Sequence, residues 1–374
     1  MPVPLVNPTV PSTPCTLDGI SEPSELSVAN YTLGRKLGSG CFADVFLASD
    51  RWEPDAPCVA LKLMTKERAI NKANLARFMR EAQLTYELGA HPHLVRGIEW
   101  GESRSIHYLA CELALGRSLD HVLLEEGRIE WRRSGQIMLQ IAEAITHLTA
   151  CGVVHRDVKP SNIVVADSGE AKLIDLGLAR RISDAADADE DPTQGSGVGF
   201  VRGGMYRVQT PAHCAVGSPA FMAPEQVLDA RSCLGAADVY SLGATWYACL
   251  TGRLPFDAAN PTAAMEQVLM GKLTPLSEYA PDMPAGVAAL VTWLLARCPS
   301  DRPASSPALV DLVRAVLAAP HDSRVVDSAR ALHSSRCTTQ VRVQWLWWLA
   351  AGVGLVVSSW WLALELIALA PGES

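Results

Sequence analysis

The chain lacks any run of basic residues and carries a net negative charge. Asp and Glu outnumber Lys and Arg by 40 to 32 over 374 residues, which gives a formal net charge of −8. Proteins that bind nucleic acid neutralise its phosphates with clustered Lys and Arg. The composition therefore predicts no nucleic-acid partner.

Cysteine patterns typical of metal sites are also missing. The 10 cysteines are scattered singly, with no C-x-x-C pair and no His/Cys group at zinc spacing. Structural zinc sites and small disulfide-rich folds both need such spacing. We interpret the cysteines as buried thiols of a protein in a reducing compartment.

The first 30 residues contain neither Lys nor Arg and no apolar run, but many Pro and Ser. A secretory signal peptide has a basic start followed by an apolar core, so this pattern predicts none. We expect residues 1–30 to form a disordered leader.

One long uncharged segment, VQWLWWLAAGVGLVVSSWWLAL, occupies residues 343–364. A helix of this length rises about 30 Å, which matches the hydrocarbon thickness of a bilayer, and tryptophans near both ends fit aromatic belts. We expect one transmembrane helix over residues 343–370, after a juxtamembrane linker at 317–342 and before a tail at 371–374. A buried core helix is the alternative.

Arginines precede this segment, whereas only glutamates supply charge after it. The positive-inside rule then places the N-terminal part of the chain in the cytoplasm. The prediction is a single-pass membrane protein with the lipid bilayer as a partner.

The folded part is expected over residues 31–316, and it starts with a β pattern. Apolar residues alternate at Val59, Leu61 and Leu63, and the preceding stretch YTLGRKLGSGCFADVFLASD has the same period. A period of two predicts a β-hairpin followed by another strand.

Gly38 and Gly40, followed by Ala43, occupy the positions of a G-x-G-x-x-G loop. A dinucleotide-binding loop of this kind opens a helix, whereas this loop runs into a second strand. The context favours a lid over phosphates, and an ordinary glycine hairpin is the alternative.

Lys62 lies on the strand face opposite the apolar residues, so its ammonium is expected to point toward the glycine loop. Glu81 lies on a helix predicted from the apolar stripe of NLARFMREAQLTYELGAHPHLV, and it could pair with Lys62. A surface lysine and a solvated helix carboxylate are the alternatives.

The stretch VVHRDVKPSNIVVADSGEAKLIDLG, at residues 153–177, places Asp157, Asn162 and Asp175 between short β-branched runs. Carboxylate and amide oxygens are typical ligands of a divalent metal, and a metal beside a base suggests phosphate chemistry. His155 in the same stretch is better explained as a packed histidine.

Seven short motifs occur in order: VALK, REA, HRDVKPSN, DLG, APE, DVYSLG and DRP. Through them, residues 31–316 resemble the eukaryotic-like, or Hanks-type, Ser/Thr protein kinases, including those of bacteria. The resemblance implies an α+β bilobal fold, with a small β-rich N-lobe with one main helix at 31–111 and a larger, mainly helical C-lobe at 115–316. The predicted transmembrane helix is added at the C-terminus.

The resemblance also implies an ATP site with Mg²⁺, or Mn²⁺ in its place. Lys62, paired with Glu81, would grip the α- and β-phosphates, and Asn162 and Asp175 would hold the metal. The glycine loop, adenine roof and hinge would add Leu37, Gly38, Ser39, Gly40, Val45, Ala60, Glu112 and Ala114.

Two residues of HRDVKPSN carry the implied chemistry. Asp157 would accept or orient the proton of the substrate hydroxyl, and Lys159 would neutralise the γ-phosphate and indicates Ser/Thr acceptors. Further implied positions are Cys111 before the rear pocket, Leu176 for the usual Phe of D-F-G, Ser218 at the P+1 position for the acceptor peptide with its hydroxyl reaching back toward the catalytic loop, a buried Glu225–Arg302 ion pair, and Asp238 anchoring the catalytic loop.

The segment from Asp175 to Glu225 is longer than this family usually needs, and it includes an acidic, then glycine-rich insertion at 184–204. Such composition is typical of a mobile segment. Phosphorylation there would find a cationic partner in Arg156, and candidate autophosphorylation sites are Thr193, Ser196 and Thr210. A loop that is merely long is the alternative.

These observations together predict a membrane-tethered Ser/Thr protein kinase with a cytoplasmic catalytic domain. Its partners would be ATP, proteins with Ser/Thr acceptors, and a second copy of itself in trans. One alternative is a membrane-anchored, nucleotide-binding pseudokinase or scaffold. A small-molecule phosphotransferase of the aminoglycoside-kinase type is less favoured because MAPE and Arg302 indicate a peptide-docking lobe.

Overall fold

The computed structural model describes residues 27–40, 43–53, 55–183, 219–228, 234–256, 260–271 and 273–331.

The N-terminal lobe is built on a six-stranded antiparallel sheet. The strands of this sheet are β1 Ser27–Val28, β2 Tyr31–Ser39, β3 Asp44–Asp50, β4 Val59–Met64, β5 Gly97–Ser103 and β6 Ile106–Glu112, in the spatial order β1-β2-β3-β4-β6-β5. The predicted hairpin with a following strand is confirmed as β2, β3 and β4.

The two faces of β4 have different surroundings. Val59, Leu61 and Leu63 pack into one apolar cluster with side chains of β2 and β6. Lys62 lies on the other face, where it is the register partner of Val45 on β3. The period of two in the sequence thus sets which face of the sheet turns to the cleft.

A long helix packs against the face of the sheet that carries Lys62. Helices α1 Lys66–Ala69 and α2 Lys72–Glu87 follow β4, and the Asn71 side chain caps α2 by accepting hydrogen bonds from the N–H groups of Ala73 and Asn74. Phe78 and Leu84 are buried, as the predicted stripe requires. This packing holds Glu81 on the inner side of the helix.

The second lobe is mainly helical, as expected. Its helices are α3 Leu119–Glu126, α4 Trp131–Ala150, α5 Pro224–Leu228, α6 Gly235–Thr251, α7 Pro261–Met270, α8 Leu276–Tyr279, α9 Ala285–Leu294 and α10 Pro307–Ala318. Its short strands are β7 Arg117–Ser118, β8 Val153–Val154, β9 Ile163–Val165, β10 Ala171–Leu173 and β11 Arg180–Arg181.

Helices α4 and α6 form the centre of this lobe. The α4 stripe is buried as predicted, at Ile137, Ile141, Ala144 and Leu148. Helix α6 is buried along almost all of its length and ends at Gly252, whose φ is 67°. A Cβ at Gly252 would lie 2.2 Å from the Gly127 carbonyl oxygen, so only glycine fits this helix end.

Two small sheets bring the polar residues of the HRD and DLG stretches to one place. Strands β9 and β10 pair antiparallel, and β8 pairs with β11. Asn162 directly precedes β9, Asp175 follows β10, and Asp157 follows β8. The polar side chains therefore lie at strand ends, and Asp175 bonds Lys62 of the N-terminal lobe.

The ends of the folded part differ from the sequence-based boundaries. Val28 on β1 is buried, and the Asn30 amide donates to Asp50 at 2.7 Å, so the leader predicted over 1–30 is wrong at residues 27–30. The compact unit continues to Val326, because the chain after α10 packs back through a bond from Gly286 N–H to the Pro320 carbonyl. Residues 327–331 belong to a second unit, and residues 1–26 lie outside the described part.

The predicted membrane span at residues 343–370 lies outside the described residues. Within the described ranges, no helix combines the length and apolar character needed to cross a bilayer.

The interpretation of all cysteines as buried thiols is wrong in two cases. Cys111 and Cys249 are buried, whereas Cys151 and Cys298 are exposed. Cys151 follows the last turn of α4, and Cys298 precedes the turn Pro299–Asp301, so both lie where helical segments meet the surface.

Candidate active site

Lys62 connects the two lobes through two carboxylates. Its Nζ donates to Glu81 Oε1 at 2.5 Å and to Asp175 Oδ1 at 3.0 Å. The Lys62–Glu81 pair is the one predicted from the sequence, and the Lys62 side chain is only 20% exposed, so it is not a surface lysine. The contact with Asp175 adds a direct link between β4 and the strand end after β10.

The charges of this cluster are unequal. Burial alone would lower the pKa of Lys62, but Asp175 and Glu81 outweigh it and raise that pKa, so the side chain stays an ammonium. Burial raises the pKa of Glu81 against the opposing effect of Lys62. Burial also acts on Asp175, yet the Lys62 ammonium lowers its pKa well below the usual range. Of the two carboxyl groups, Asp175 is therefore the one with the lower pKa.

Asp157 is held by two neighbours in its own loop. Lys159 Nζ donates to Asp157 Oδ2 at 2.6 Å. The Asn162 amide donates to the same Oδ2 and to the Asp157 carbonyl, both at 2.9 Å. The short turn Pro160–Asn162 brings Asn162 back onto Asp157. The three residues singled out in HRDVKPSN thus form one hydrogen-bonded group.

Asn162 keeps an acceptor free for a cation. Its Oδ1 is buried and has no hydrogen-bond partner among the described residues. A buried acceptor left unpaired costs about 1–3 kcal/mol, and an amide oxygen is a good Mg²⁺ ligand. Ile174 N–H donates to the Asn162 carbonyl at 2.9 Å, which keeps Asn162 next to the strand end that carries Asp175. This pair fits a divalent metal.

Carboxylates alone do not build a cation site here. In the described ranges, no three His, Cys, Asp or Glu side chains are grouped to hold a metal ion. One carboxylate and one amide oxygen leave most of the Mg²⁺ coordination to water and phosphate oxygens, which is usual for Mg²⁺ at nucleotide sites.

The backbone at the two key loops is strained and firmly held. Arg156 and Asp175 have φ values of 70° and 66°, in the left-handed region. The buried Asp238 carboxylate accepts hydrogen bonds from His155 N–H at 2.8 Å and Arg156 N–H at 2.7 Å, as the predicted anchoring role requires. Burial raises the pKa of Asp238, although His155 and these hydrogen bonds oppose the rise.

An apolar roof covers the cleft beside Lys62. Leu37, Val45 and Ala60 form one buried cluster, with Leu47 and Leu113 packed against it. The three residues expected above adenine are therefore brought together.

The hinge lies next to this roof. Cys111 and Ala114 belong to a neighbouring core cluster, and burial raises the pKa of the Cys111 thiol to about 12. Glu112 accepts from Lys172 Nζ at 3.1 Å and from Arg96 N–H at 3.0 Å, which ties the hinge to both lobes.

The glycine loop is described up to its tip. Gly38 pairs with Val45 and Ser39 with Asp44, and Gly40 N–H donates to the Ala43 carbonyl at 2.8 Å. The tip residues 41 and 42 lie outside the described part, as do Ser218, Thr193, Ser196 and Thr210. Leu176 is buried, so an apolar residue fits its position.

Several contacts that support the site were not predicted. Arg77 Nε donates to the Gly177 carbonyl at 2.6 Å, and Arg181 pairs with Glu87. Gln226 Nε2 donates to the Arg156 carbonyl at 2.9 Å. Arg77 lies one helical turn before Glu81, so helical spacing could have indicated it. Nothing in the sequence indicates Gln226, because its partner is 70 residues away.

The protein kinase domain family model matches residues 31–313. The chain belongs to the protein kinase domain family. A probable serine/threonine-protein kinase of Corynebacterium efficiens is 31% identical over 284 residues, which is 73% of this chain and 39% of that protein. The serine/threonine-protein kinase PknK of Mycobacterium tuberculosis is 31% identical over 287 residues, 76% of this chain and 23% of its own length.

A third relative of the kinase family is the serine/threonine-protein kinase PknB of Mycolicibacterium smegmatis. It is 30% identical over 332 residues, which cover 86% of this chain and 48% of PknB. The chain thus spans less than half of the length of these three relatives.

Proposed function

We propose that this chain is a Ser/Thr protein kinase that transfers the γ-phosphate of ATP to hydroxyl groups of proteins. The observation that carries the proposal is the convergence of two groups on one cleft. Lys62 bonds Glu81 and Asp175, and Asp157 bonds Lys159 and Asn162. The hydrogen bond from Ile174 N–H to the Asn162 carbonyl keeps the second group next to Asp175 of the first.

The first group binds the nucleotide. Lys62 meets the α- and β-phosphates, and Glu81 fixes the ammonium for that contact. The apolar roof of Leu37, Val45 and Ala60 covers the adenine, while the backbone from Glu112 to Ala114 meets its edge. Gly38, Ser39 and Gly40 let the backbone approach the phosphates.

Asn162 and Asp175 would hold Mg²⁺, which supplies positive charge to the β- and γ-phosphates when it is bound. The supporting observations are the unpaired Asn162 Oδ1 and the low pKa of Asp175. Mn²⁺ would use the same oxygen ligands.

The second group acts on the acceptor. The substrate hydroxyl attacks the γ-phosphorus, the bond to the β–γ bridging oxygen breaks, and Asp157 accepts the hydroxyl proton. Lys159 and Asn162 fix the Asp157 carboxylate for this role. The ammonium of Lys159 also offsets charge on the transferred phosphoryl group, and it is the feature that favours Ser/Thr acceptors.

Transfer of labelled phosphate from ATP to a generic protein acceptor tests the proposal. We expect phosphoserine and phosphothreonine from the unaltered chain and a loss of at least about a hundredfold in Asp157→Asn, which keeps the shape but removes the base. Asp167→Asn, an exposed aspartate beyond β9, is the matched control and should retain full activity. Binding of ATP without any transfer would instead favour the pseudokinase or scaffold function.

Membrane tethering is part of the proposal and rests on the sequence of residues 343–364. A single span with the kinase domain, about residues 31–316, on the cytoplasmic side raises the local concentration of a second copy. Autophosphorylation in trans at Thr193, Ser196 or Thr210 would then be favoured. Deletion of residues 343–374 is expected to lower autophosphorylation at equal protein concentration in vesicles. An unchanged rate would contradict this role.

A further inference from the structure

The Gln226 side chain forms two hydrogen bonds, each with the backbone of a different loop. It follows Glu225 in α5 and is 8% exposed. Its Oε1 accepts from Ala223 N–H at 3.0 Å, and its Nε2 donates to the Arg156 carbonyl at 2.9 Å. A single buried amide therefore joins the loop before α5 to the loop that carries Asp157.

The Arg156 end of this link is a strained residue held from both sides. Asp238 binds its N–H at 2.7 Å, and Gln226 binds its carbonyl. Arg156 has a φ of 70°, which costs about 1–3 kcal/mol for a residue other than glycine. Such a conformation persists only where its surroundings hold it. The next residue in the chain is Asp157.

The Ala223 end belongs to the stretch 219–223, which follows Ser218 of the predicted acceptor-peptide position. Phe221 in this stretch accepts a hydrogen bond from Ser241 Oγ at 2.8 Å, and Ser241 lies on α6 with Asp238. Helix α6 therefore bonds the loop that carries Asp157 through Asp238 and the stretch 219–223 through Ser241. The Gln226 side chain connects these two loops directly.

We propose that Gln226 is a positioning residue that couples the acceptor-docking loop at 219–223 to the placement of Asp157. This inference rests on the proposed kinase function. The NH₂ group of the Gln226 amide fixes the orientation of the Arg156 carbonyl, and this peptide group determines the position of Asp157, the next residue. The acceptor half sets the docking loop. Gln226 touches neither nucleotide nor acceptor and acts through the backbone of its partners.

Two substitutions separate the halves. Gln226→Glu keeps an oxygen for Ala223 N–H but loses the donor to Arg156, provided that the assay is run near pH 8.5 so that the new carboxyl is ionised. Gln226→Met keeps the size and loses both hydrogen bonds. We expect kcat to fall about tenfold in both variants with the KM for ATP unchanged. The free energy of one lost buried hydrogen bond corresponds to about a tenfold change in rate. The KM for the acceptor should rise only in Gln226→Met.

Gln136 on α4 supplies the control, because it is exposed and the same two substitutions can be made there. Both control variants should keep the kcat and both KM values of the unaltered chain. Equal kcat values for Gln226→Glu and the unaltered chain would overturn the inference. A rise in the acceptor KM without a fall in kcat in Gln226→Met would overturn it as well.

Amide hydrogen exchange gives a readout that does not depend on transfer. We expect exchange at His155 and Arg156, whose N–H groups bind Asp238, to become at least about fivefold faster in both Gln226 variants. Unchanged exchange would refute the coupling. If the unaltered chain transfers no phosphate, the proposed function fails and exchange alone still decides whether Gln226 holds the loop. If Gln226→Glu does not fold, Gln226→Met, which adds no charge, carries the comparison.

Discussion

Replacement of Arg302 by lysine is expected to destabilise the C-lobe although the charge is kept. Arg302 is 1% exposed and stacks on the Tyr240 ring, with its guanidinium carbon 4.9 Å from the ring centroid. Its five N–H donors are all used, by the two Glu225 oxygens and the carbonyls of Ala236, Ala296 and Arg297, at 2.6 to 2.9 Å. This geometry bears out the ion pair predicted from APE and DRP.

The magnitude follows from the donor count. A lysine ammonium has three donors on one nitrogen, so at least two of the five acceptors lose their partner. Each buried acceptor left unpaired costs about 1–3 kcal/mol, which sets the expected loss at no less than about 2 kcal/mol. Arg302→Met leaves the Glu225 charge without a counter-ion and should cost about 3–5 kcal/mol.

Equilibrium unfolding of the full chain in urea measures both losses, with tryptophan fluorescence as the probe. Trp246 and Trp293 lie in the same lobe, and Trp293 Nε1 donates to the Asp301 carbonyl at 2.7 Å, directly beside Arg302. Arg314→Lys is the matched control. Its side chain is 56% exposed and pairs with Asp311 and Glu143, so its loss should stay below about 1 kcal/mol. An Arg302→Lys variant within about 0.5 kcal/mol of the unaltered chain would refute the reasoning.

Three further predictions concern other parts of the fold. Burial and the neighbouring His147 lower the pKa of His91 from 6.5 to about 4, so the stability that neutral His91 contributes above pH 6.5 should be lost as the pH falls toward 4. His91→Asn should remove this part of the slope of unfolding free energy against pH, and an identical slope would contradict it. Asp238→Asn should cost about 1–3 kcal/mol of unfolding free energy and lower kcat at least about tenfold, since one of the two backbone donors then faces an amide NH₂. Urea unfolding and peptide phosphorylation measure the two effects. A variant whose unfolding free energy and kcat both match those of the unaltered chain would count against the anchoring role. Gly252→Ala should lower the unfolding free energy by at least about 2 kcal/mol. Gly169→Ala, with φ of 87° and open space around the glycine, should lower it by only about 1 kcal/mol. Equal losses on urea unfolding would show that the contact with Gly127 does not matter.

Local periodicity predicted the parts of the fold that depend on neighbours in the sequence. The alternation in β4 assigned Lys62 to the cleft face, and the stripe of α4 assigned its buried side. The spacing within HRDVKPSN brought Asp157, Lys159 and Asn162 together, because a short turn returns the chain on itself. These relations span a few residues, so sequence patterns contain them.

Contacts between distant segments were harder to predict. The Lys62–Asp175 bond joins residues 113 apart, and Gln226 reaches Arg156 over 70 residues. The Lys62–Glu81 pair was open as a possibility from the predicted helix and was implied by the family resemblance, whereas the Lys62–Asp175 bond was not predicted. The left-handed backbone at Arg156 could not be expected from its residue type, because it depends on Asp238 and Gln226 holding both of its peptide groups.

The boundaries of the folded part failed for a similar reason. Residues 27–30 were assigned to the leader because residues 1–30 contain no apolar run, yet Val28 is buried and β1 pairs with β2. The stretch after α10 was assigned to a linker, but Val326 is buried against the domain. Composition describes a segment by itself and does not reveal which surface it covers.

Calorimetric titration of ATP with and without Mg²⁺ tests the central claim most directly. The account predicts that Mg²⁺ tightens ATP binding to the unaltered chain, that Asp175→Asn loses most of this gain, and that Lys62→Met weakens binding in both conditions. The metal and the ammonium would then act on the same triphosphate. An undiminished gain from Mg²⁺ in both Asp175→Asn and Asn162→Ala would contradict the account.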